Sequence, residues 1–434
     1  MKPYKGMILL IGLLACESRV NAEDWPQWRG PNRDGVWTEQ GVVKQFSSKQ
    51  LPAVWRKPVG SGYCGPTVAR GRVYVMDRQT DPAQQERVLC FEAATGRSLW
   101  THTYPCKYVK VGYPAGPRAS VSVDENRAYS LGSMGHLFCL TGDSGTVLWE
   151  KDLNAEYQIR LPIWGIAASP LIEGDLVIVH IGGKDNASMV AFDKRSGKER
   201  WRALDDKASY SAPIVIQQAG KRVLVCWTGE RVVGINPLNG RLYWEYPFAP
   251  FRMVINIASP VLSGNYLFMS GFYDGSLLLK LNPDELTAEK VWRRRGKSEK
   301  ENETDALHCC ISTPLIEGEY IYGVDSYGQL RCLDLHTGDR IWESLEAVPV
   351  DRWSNIHMVK HEQEVWMFTE RGDLVISRLS PQAYTEISRT HLIEPTEKQL
   401  GRRGGVCWSH PAYADRHIFV RNDKELLCVN LAAE

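Results

Sequence analysis

Short apolar runs separated by turns rich in Gly, Asp and Asn follow one another down most of this chain. The clearest stretch starts with an apolar run at residues 168–172, which is stopped by the turn Glu173-Gly174-Asp175. A second run at 176–179 and a third at 189–193 follow, and the turn Lys194-Arg195-Ser196-Gly197 leads to the alternating segment 199–202. Runs of this length bounded by such turns predict β-strands, here four in succession.

The pattern recurs. Trp100, Trp149, Trp201, Trp244, Trp292 and Trp342 each close one such segment, at gaps of 49, 52, 43, 48 and 50 residues. Five segments read nearly alike: CFEAATGRSLW, CLTGDSGTVLW, AFDKRSGKERW, GINPLNGRLYW and CLDLHTGDRIW. In each, a glycine stands four residues before the tryptophan. Glycine suits a hairpin turn at positive φ, and a large flat ring on the outer strand suits packing of one sheet on the next. A constant period in this range predicts an all-β, eight-bladed β-propeller with four-stranded blades over residues 51–434. Blade five keeps Trp292 but stretches its turn between Asn282 and Lys290. Blade seven replaces its tryptophan strand by Tyr384-Thr385-Glu386-Ile387.

Two strands are left over. Leu426 to Asn430 is a third strand that meets the chain end without a tryptophan strand, and Ala53-Val54-Trp55-Arg56 is a tryptophan strand with nothing before it. The N-terminal strand is therefore expected to complete the last blade, leaving no open edge in the ring.

Composition adds little, because 43% hydrophobic and 24% charged residues are ordinary for a globular protein. A net charge of +1 gives no footprint for nucleic acid or an anionic membrane. The N-terminus does change the picture. Lys2 and Lys5 precede an apolar run from Met7 to Ala15, and Val20-Asn21-Ala22 is a small-residue cleavage site, so residues 1–22 read as a signal peptide. Leu13-Leu14-Ala15 before Cys16 leaves open a lipid anchor at Cys16. Residues 23–50 form an N-terminal extension, and no stretch is expected to span a membrane. The protein is expected to be exported, to a periplasmic or extracellular location. In an oxidising compartment cysteines invite pairing. Cys90, Cys139, Cys332 and Cys428, however, fill the same strand slot in separate blades, too far apart to bridge, and are expected to be buried thiols.

The repeat A-x-D-x-x-x-G-x-x-x-W, spelled by Ala191-Phe192-Asp193 through Gly197 to Trp201, resembles that of the PQQ-like propeller superfamily. The superfamily holds eight-bladed alcohol dehydrogenases that use pyrroloquinoline quinone, and non-enzymatic relatives such as the outer-membrane assembly factor BamB. The segment from Asp24 to Gly35 looks like the opening of many secreted bacterial members of unestablished activity. The dehydrogenase branch implies PQQ with calcium, a vicinal cysteine pair against the cofactor and carboxylate ligands. Cys309-Cys310 is such a pair, in the sixth repeat rather than early in the chain, and Glu303, Asp305 and Asp351 are acids at the same end of their blades. No Cys-x-x-Cys-His marks a fused cytochrome. Fold kinship alone does not assign a reaction.

Loops entering the innermost strands converge on one channel mouth, the expected place for a ligand. They carry Tyr63, Arg118, Trp164 and Tyr210 from the first blades, and Asn256, His308, Cys309 and Cys310 from the middle ones. Trp353, Asn355 and Trp408 come from the last two, and Cys64, Arg252, Arg402 and Arg403 lie in the same loops. The slot before the recurring proline is small at Gly65, Ser169, Ala212, Ser259 and Thr313, but is His357 and His410 in blades seven and eight. With Cys407 these histidines make a candidate metal set, the alternative being channel-lining rings bonded to backbone or water. Gly142-Asp143-Ser144-Gly145 falls on a repeat turn, and His357-x-x-x-His361 lies on a strand, so neither supports a protease. The reading is a binding or scaffold module with a protein, small molecule or carbohydrate at the mouth. The rival is a PQQ-dependent dehydrogenase.

Overall fold

The computed structural model describes residues 23–401 and 404–433. Eight antiparallel four-stranded sheets stand as blades in a ring, and one short helix, Leu153–Tyr157, leaves the outer strand of blade two. In blade three the strands run Leu171–Glu173, Leu176–His180, Met189–Asp193 and Glu199–Ala203 from the axis outwards. The innermost strand is shorter than the apolar run at 168–172, for a local reason. Pro170 has no N–H for a ladder, and the carbonyls of Ser169 and Pro170 accept hydrogen bonds from the Arg33 guanidinium instead.

The ring closes as the unpaired strands require. Ala53–Pro58 lies antiparallel to Glu425–Asn430, with Ala53 opposite Val429 and Pro58 opposite Glu425. Blade eight thus takes its outermost strand from the start of the propeller and its other three from the end.

What joins blade to blade is the repeat tryptophan. The indole N–H of Trp55, Trp100, Trp149, Trp201, Trp292 and Trp342 donates in turn to a turn carbonyl of the following blade: Ala93, Gly142, Lys194, Pro237, Leu335 and Ser380. The repeat glycine sits against that same ring. A Cβ at Gly96, Gly145, Gly197, Gly240 or Gly338 would lie 2.5–3.1 Å from the indole of the preceding blade. Glycine is needed here twice over, for φ near +70° and for the ring's approach. Blade five, which lost this glycine, uses a relay. Trp244 donates to the Gln218 side-chain carbonyl at 2.8 Å, and the Gln218 amide reaches the stretched turn at the carbonyls of Asn282, Glu285 and Thr287.

Cys90, Cys139, Cys332 and Cys428 are buried thiols in their strand slots. Cys64, Cys106, Cys226, Cys309 and Cys407 are likewise buried free thiols. The signal-peptide reading, Cys16, Arg402 and Arg403 fall outside the described residues. Among the described residues no helix is long and apolar enough to cross a membrane.

The N-terminal extension has a structural role that its sequence does not announce. Trp25 pairs with Val68 of blade one, and the Pro26 carbonyl accepts from the Val123 N–H of blade two. Trp28 reaches Ser259 of blade five, Arg33 reaches blade three, and Val36 bridges to Lys360 of blade seven. Trp37 is then buried among Trp366, Tyr413 and His361. Within a dozen residues the segment touches blades on every side of the axis, and so it plugs the channel.

Candidate functional site

Above this plug the channel widens into a cavity of about 410 Å³. Loops from each outer strand to the next inner strand converge there, as they must when all eight sheets are oriented alike. Trp28 of the plug, Trp164, Trp353 and Trp408 present indoles to it. Tyr63, Tyr113, Tyr210 and Tyr273 add phenol rings, and Met253, Ile255, Ile257 and Ile311 make an aliphatic wall on blades five and six. Trp164 and Tyr210 lie 4.9 Å apart, tilted by 33°. Trp353 holds φ at +70°, a conformation that bulky residues rarely take, and its N–H donates to the Ser326 carbonyl at 2.9 Å. Such a backbone persists only where its surroundings enforce it, and it fixes where the indole stands. Trp408 is held by its indole N–H on the Glu370 carboxylate at 3.1 Å.

Among the described residues two arginines, Arg118 and Arg352, line the cavity, and they differ in their partners. Arg352 donates to Glu299 at 3.1 Å and lies over the Trp353 ring. Arg118 lies over the Tyr63 ring at 4.5 Å and donates only to the backbone carbonyls of Gly116, Gly112 and Tyr113. Burial lowers its pKa, and among the described residues it has no carboxylate partner within ion-pair distance. Among the described residues no Asp, Glu, Asn or Gln lines the cavity.

Of the candidate ligand residues, Tyr63, Arg118, Trp164, Tyr210, Cys310, Trp353 and Trp408 are brought together on this cavity. The others stand behind its walls. The Asn256 amide donates to the Thr228 carbonyl. His308 Nδ1 donates to the Phe272 carbonyl, while Nε2 accepts from the Gly296 N–H. Asn355 accepts from the Ser312 hydroxyl, and Cys309 is fully buried, its thiol pushed up to about 12 by desolvation. These polar groups are consumed in bracing loops, which is why the residue types alone did not separate them from the lining set. The vicinal pair is accordingly split, with only Cys310 facing the cavity.

The candidate metal set does not assemble. His357 and His410 do meet, with ring centres 6.1 Å apart. His357 Nε2, however, donates to the Trp408 carbonyl at 2.8 Å, and His410 Nε2 accepts from the Ser120 hydroxyl at 2.6 Å. Cys407 points elsewhere, towards the Glu394 carbonyl. Both imidazoles are held neutral by burial, at about 4 and about 3. Gly65 makes room for this arrangement, since a Cβ there would meet the His410 carbonyl at 2.1 Å.

Sequence reasoning missed Tyr113, Tyr273, Arg352 and the aliphatic wall among the lining residues, and, most consequentially, Trp28. Its indole N–H donates to Ser259 at 2.9 Å, and its ring meets His410 edge-on at 4.5 Å. The tryptophan-rich segment before the first repeat, too polar to be a strand and too regular to be a linker, was the available signal.

A closed ring of eight blades, most of them latched to the next by a tryptophan, aromatic at one mouth and plugged from the other side, defines a PQQ-like β-propeller. The chain belongs to the family described as outer membrane protein assembly factor BamB, whose model matches residues 84–344, more than half of its length. It is 21% identical over 334 residues to the outer membrane protein assembly factor BamB of Shewanella oneidensis, covering 71% of this chain and 76% of that protein. It is 30% identical over 152 residues to the 1-butanol dehydrogenase (quinone) of Thauera butanivorans, covering 32% of this chain. The match spans only 24% of that enzyme. The quinohemoprotein alcohol dehydrogenase of Comamonas testosteroni superposes with a TM-score of 0.64 at 12% identity, over 95% of this chain and 81% of that one. That likeness shows the fold.

Proposed function

We propose that this protein is an exported binding module that seats a small molecule, or a projecting segment of a protein partner, in the aromatic mouth cavity. One observation carries the reading: a preformed concavity of about 410 Å³ whose walls are mostly aromatic and aliphatic, with few polar groups. Pockets of that size and character are the usual form of a ligand site. The kinship with BamB supports a scaffold role, and residues 1–22 support export, with cleavage after Ala22 or lipidation at Cys16. N-terminal sequencing and mass measurement of the exported protein test that part. A chain beginning at Met1 would refute export processing.

The site is tested by thermal shift of the purified protein against aromatic acids, oligosaccharides and peptides. A ligand that binds only the native form raises the melting temperature by mass action. The shift should vanish in Trp164→Ala, whose own melting temperature should stay close to the parent's. A ligand whose shift survives in both Trp164→Ala and Trp408→Ala would place binding elsewhere.

The quinone dehydrogenases among the relatives give a second reading. Its flat ring would suit the indole walls. The calcium half does not fit, because among the described residues no carboxylate or carboxamide lines the cavity beside Cys310. Asp305 is paired with Arg294, and Glu303 accepts from Ser298. No catalytic step is derived through that cofactor.

A further inference from the structure

The mouth cavity also carries information about the charge of what it holds. We infer that its ligand is a flat, largely apolar anion, with Arg118 as the counter-charge; this rests on the cavity being the binding site. The cavity favours an apolar body, since four indoles, four phenols and an aliphatic wall face it. A neutral sugar is a poorer match, because its many hydroxyls call for more polar partners than these mostly aromatic and aliphatic walls offer. A cation is poorer still, since among the described residues no acid lines the cavity.

Arg118 decides the sign. Its three bonds to the carbonyls of Gly112, Tyr113 and Gly116 fix the guanidinium and use three of its five N–H donors. Tyr63 covers one face of the group. Backbone carbonyls position the charge. Glu86, bound to Tyr104 and Tyr108, acts on it without contact, and a desolvated charge with no acid in contact gains from an incoming anion. The other lining arginine, Arg352, shares Glu299 with Arg252, two guanidiniums on one carboxylate, so this side of the mouth is positive as well. On blade five, Arg295 stacks at 4.0 Å on the exposed ring of Phe251.

Three probes of one shape separate this inference from the reading beneath it: 2-naphthoate, 2-naphthamide and 2-naphthylmethylammonium. Their dissociation constants for the purified protein would be measured by titration calorimetry. The naphthoate should bind one per chain, about tenfold or more tighter than the amide, as expected for a charge-assisted hydrogen bond. The ammonium should bind weakest. Arg118→Gln should bring the naphthoate down to the affinity of the amide and leave the amide within about twofold of its parent value. Arg118→Lys should keep part of the preference for the anion, and serves if the glutamine variant does not fold. Equal binding of all three probes by the parent protein would overturn the charge assignment and leave the cavity reading standing. A preference for the anion that survives Arg118→Gln would overturn the role of Arg118. If no probe binds, the cavity reading falls and this inference falls with it.

Discussion

At the scale of single residues, the contact between glycine and tryptophan is the unit of cohesion. Trp201 is buried with its N–H on Pro237, so Trp201→Ala should cost roughly 3–5 kcal/mol in chemical denaturation. Trp149 is only half-buried against Tyr129 and Phe192, and its truncation should cost clearly less. Gly197→Ala should be as damaging as the loss of many larger groups. The added Cβ would stand 2.7 Å from the Trp149 ring at φ +69°, for a loss of roughly 2–4 kcal/mol. The channel histidines give a pH signature. His357 and His410 are neutral when folded, with pKa values of about 4 and about 3, against an ordinary 6.5 when unfolded. Below pH 6.5 the unfolded chain therefore binds more protons, so their contribution is complete above that value and is lost as the pH falls towards 4. Urea midpoints measured from pH 7 to 4 should decline, and His410→Gln should decline less steeply than the parent.

At the scale of elements, the ring stands or falls by its closure. Removing residues after Lys424 deletes the strand Glu425–Asn430, which pairs with Ala53–Pro58 on one side and His417–Arg421 on the other. That truncation should lower the melting temperature of the whole molecule cooperatively, because it opens an edge on both neighbours. An unchanged melting temperature would rule the closure out. The junction between blades four and five depends on one amide rather than a direct latch. Gln218→Ala strands the Trp244 N–H and three carbonyls at once, and should destabilise by about 1–3 kcal/mol on the same denaturation assay.

At the scale of the whole molecule, the plug ties the blades across the axis and floors the cavity. Arg33 is buried with only carbonyl and amide partners, and Trp37 fills a socket between blades seven and eight. A chain starting after Gly41 should therefore melt well below one starting at Glu23, with tryptophan fluorescence shifted to the red as Trp366 and the cavity rings meet water. Equal melting temperatures would mean that the blades alone set the stability.

What the sequence determined by itself was whatever repeats. Hydrophobic alternation, turn glycines and the spacing of six tryptophans specify a local structure eight times over, and two orphan strands state how the ring must close. Each of these is a short-range signal, and repetition averages out the noise in it. The tertiary structure decided everything that depends on direction rather than position. Cys309 and Cys310 are neighbours in sequence, yet Cys310 faces the cavity and Cys309 the core, because the chain bends at Cys310 and Ile311. Asn256, His308 and Asn355 have the chemistry of ligand residues but spend it on backbone carbonyls and, for Asn355, the Ser312 hydroxyl of adjacent blades that only the folded ring brings near. Trp28, 231 residues from Ser259, joins the cavity solely because the extension crosses the axis. A propeller gathers its site from eight distant loops, so no local pattern in the chain records which side chains will meet there.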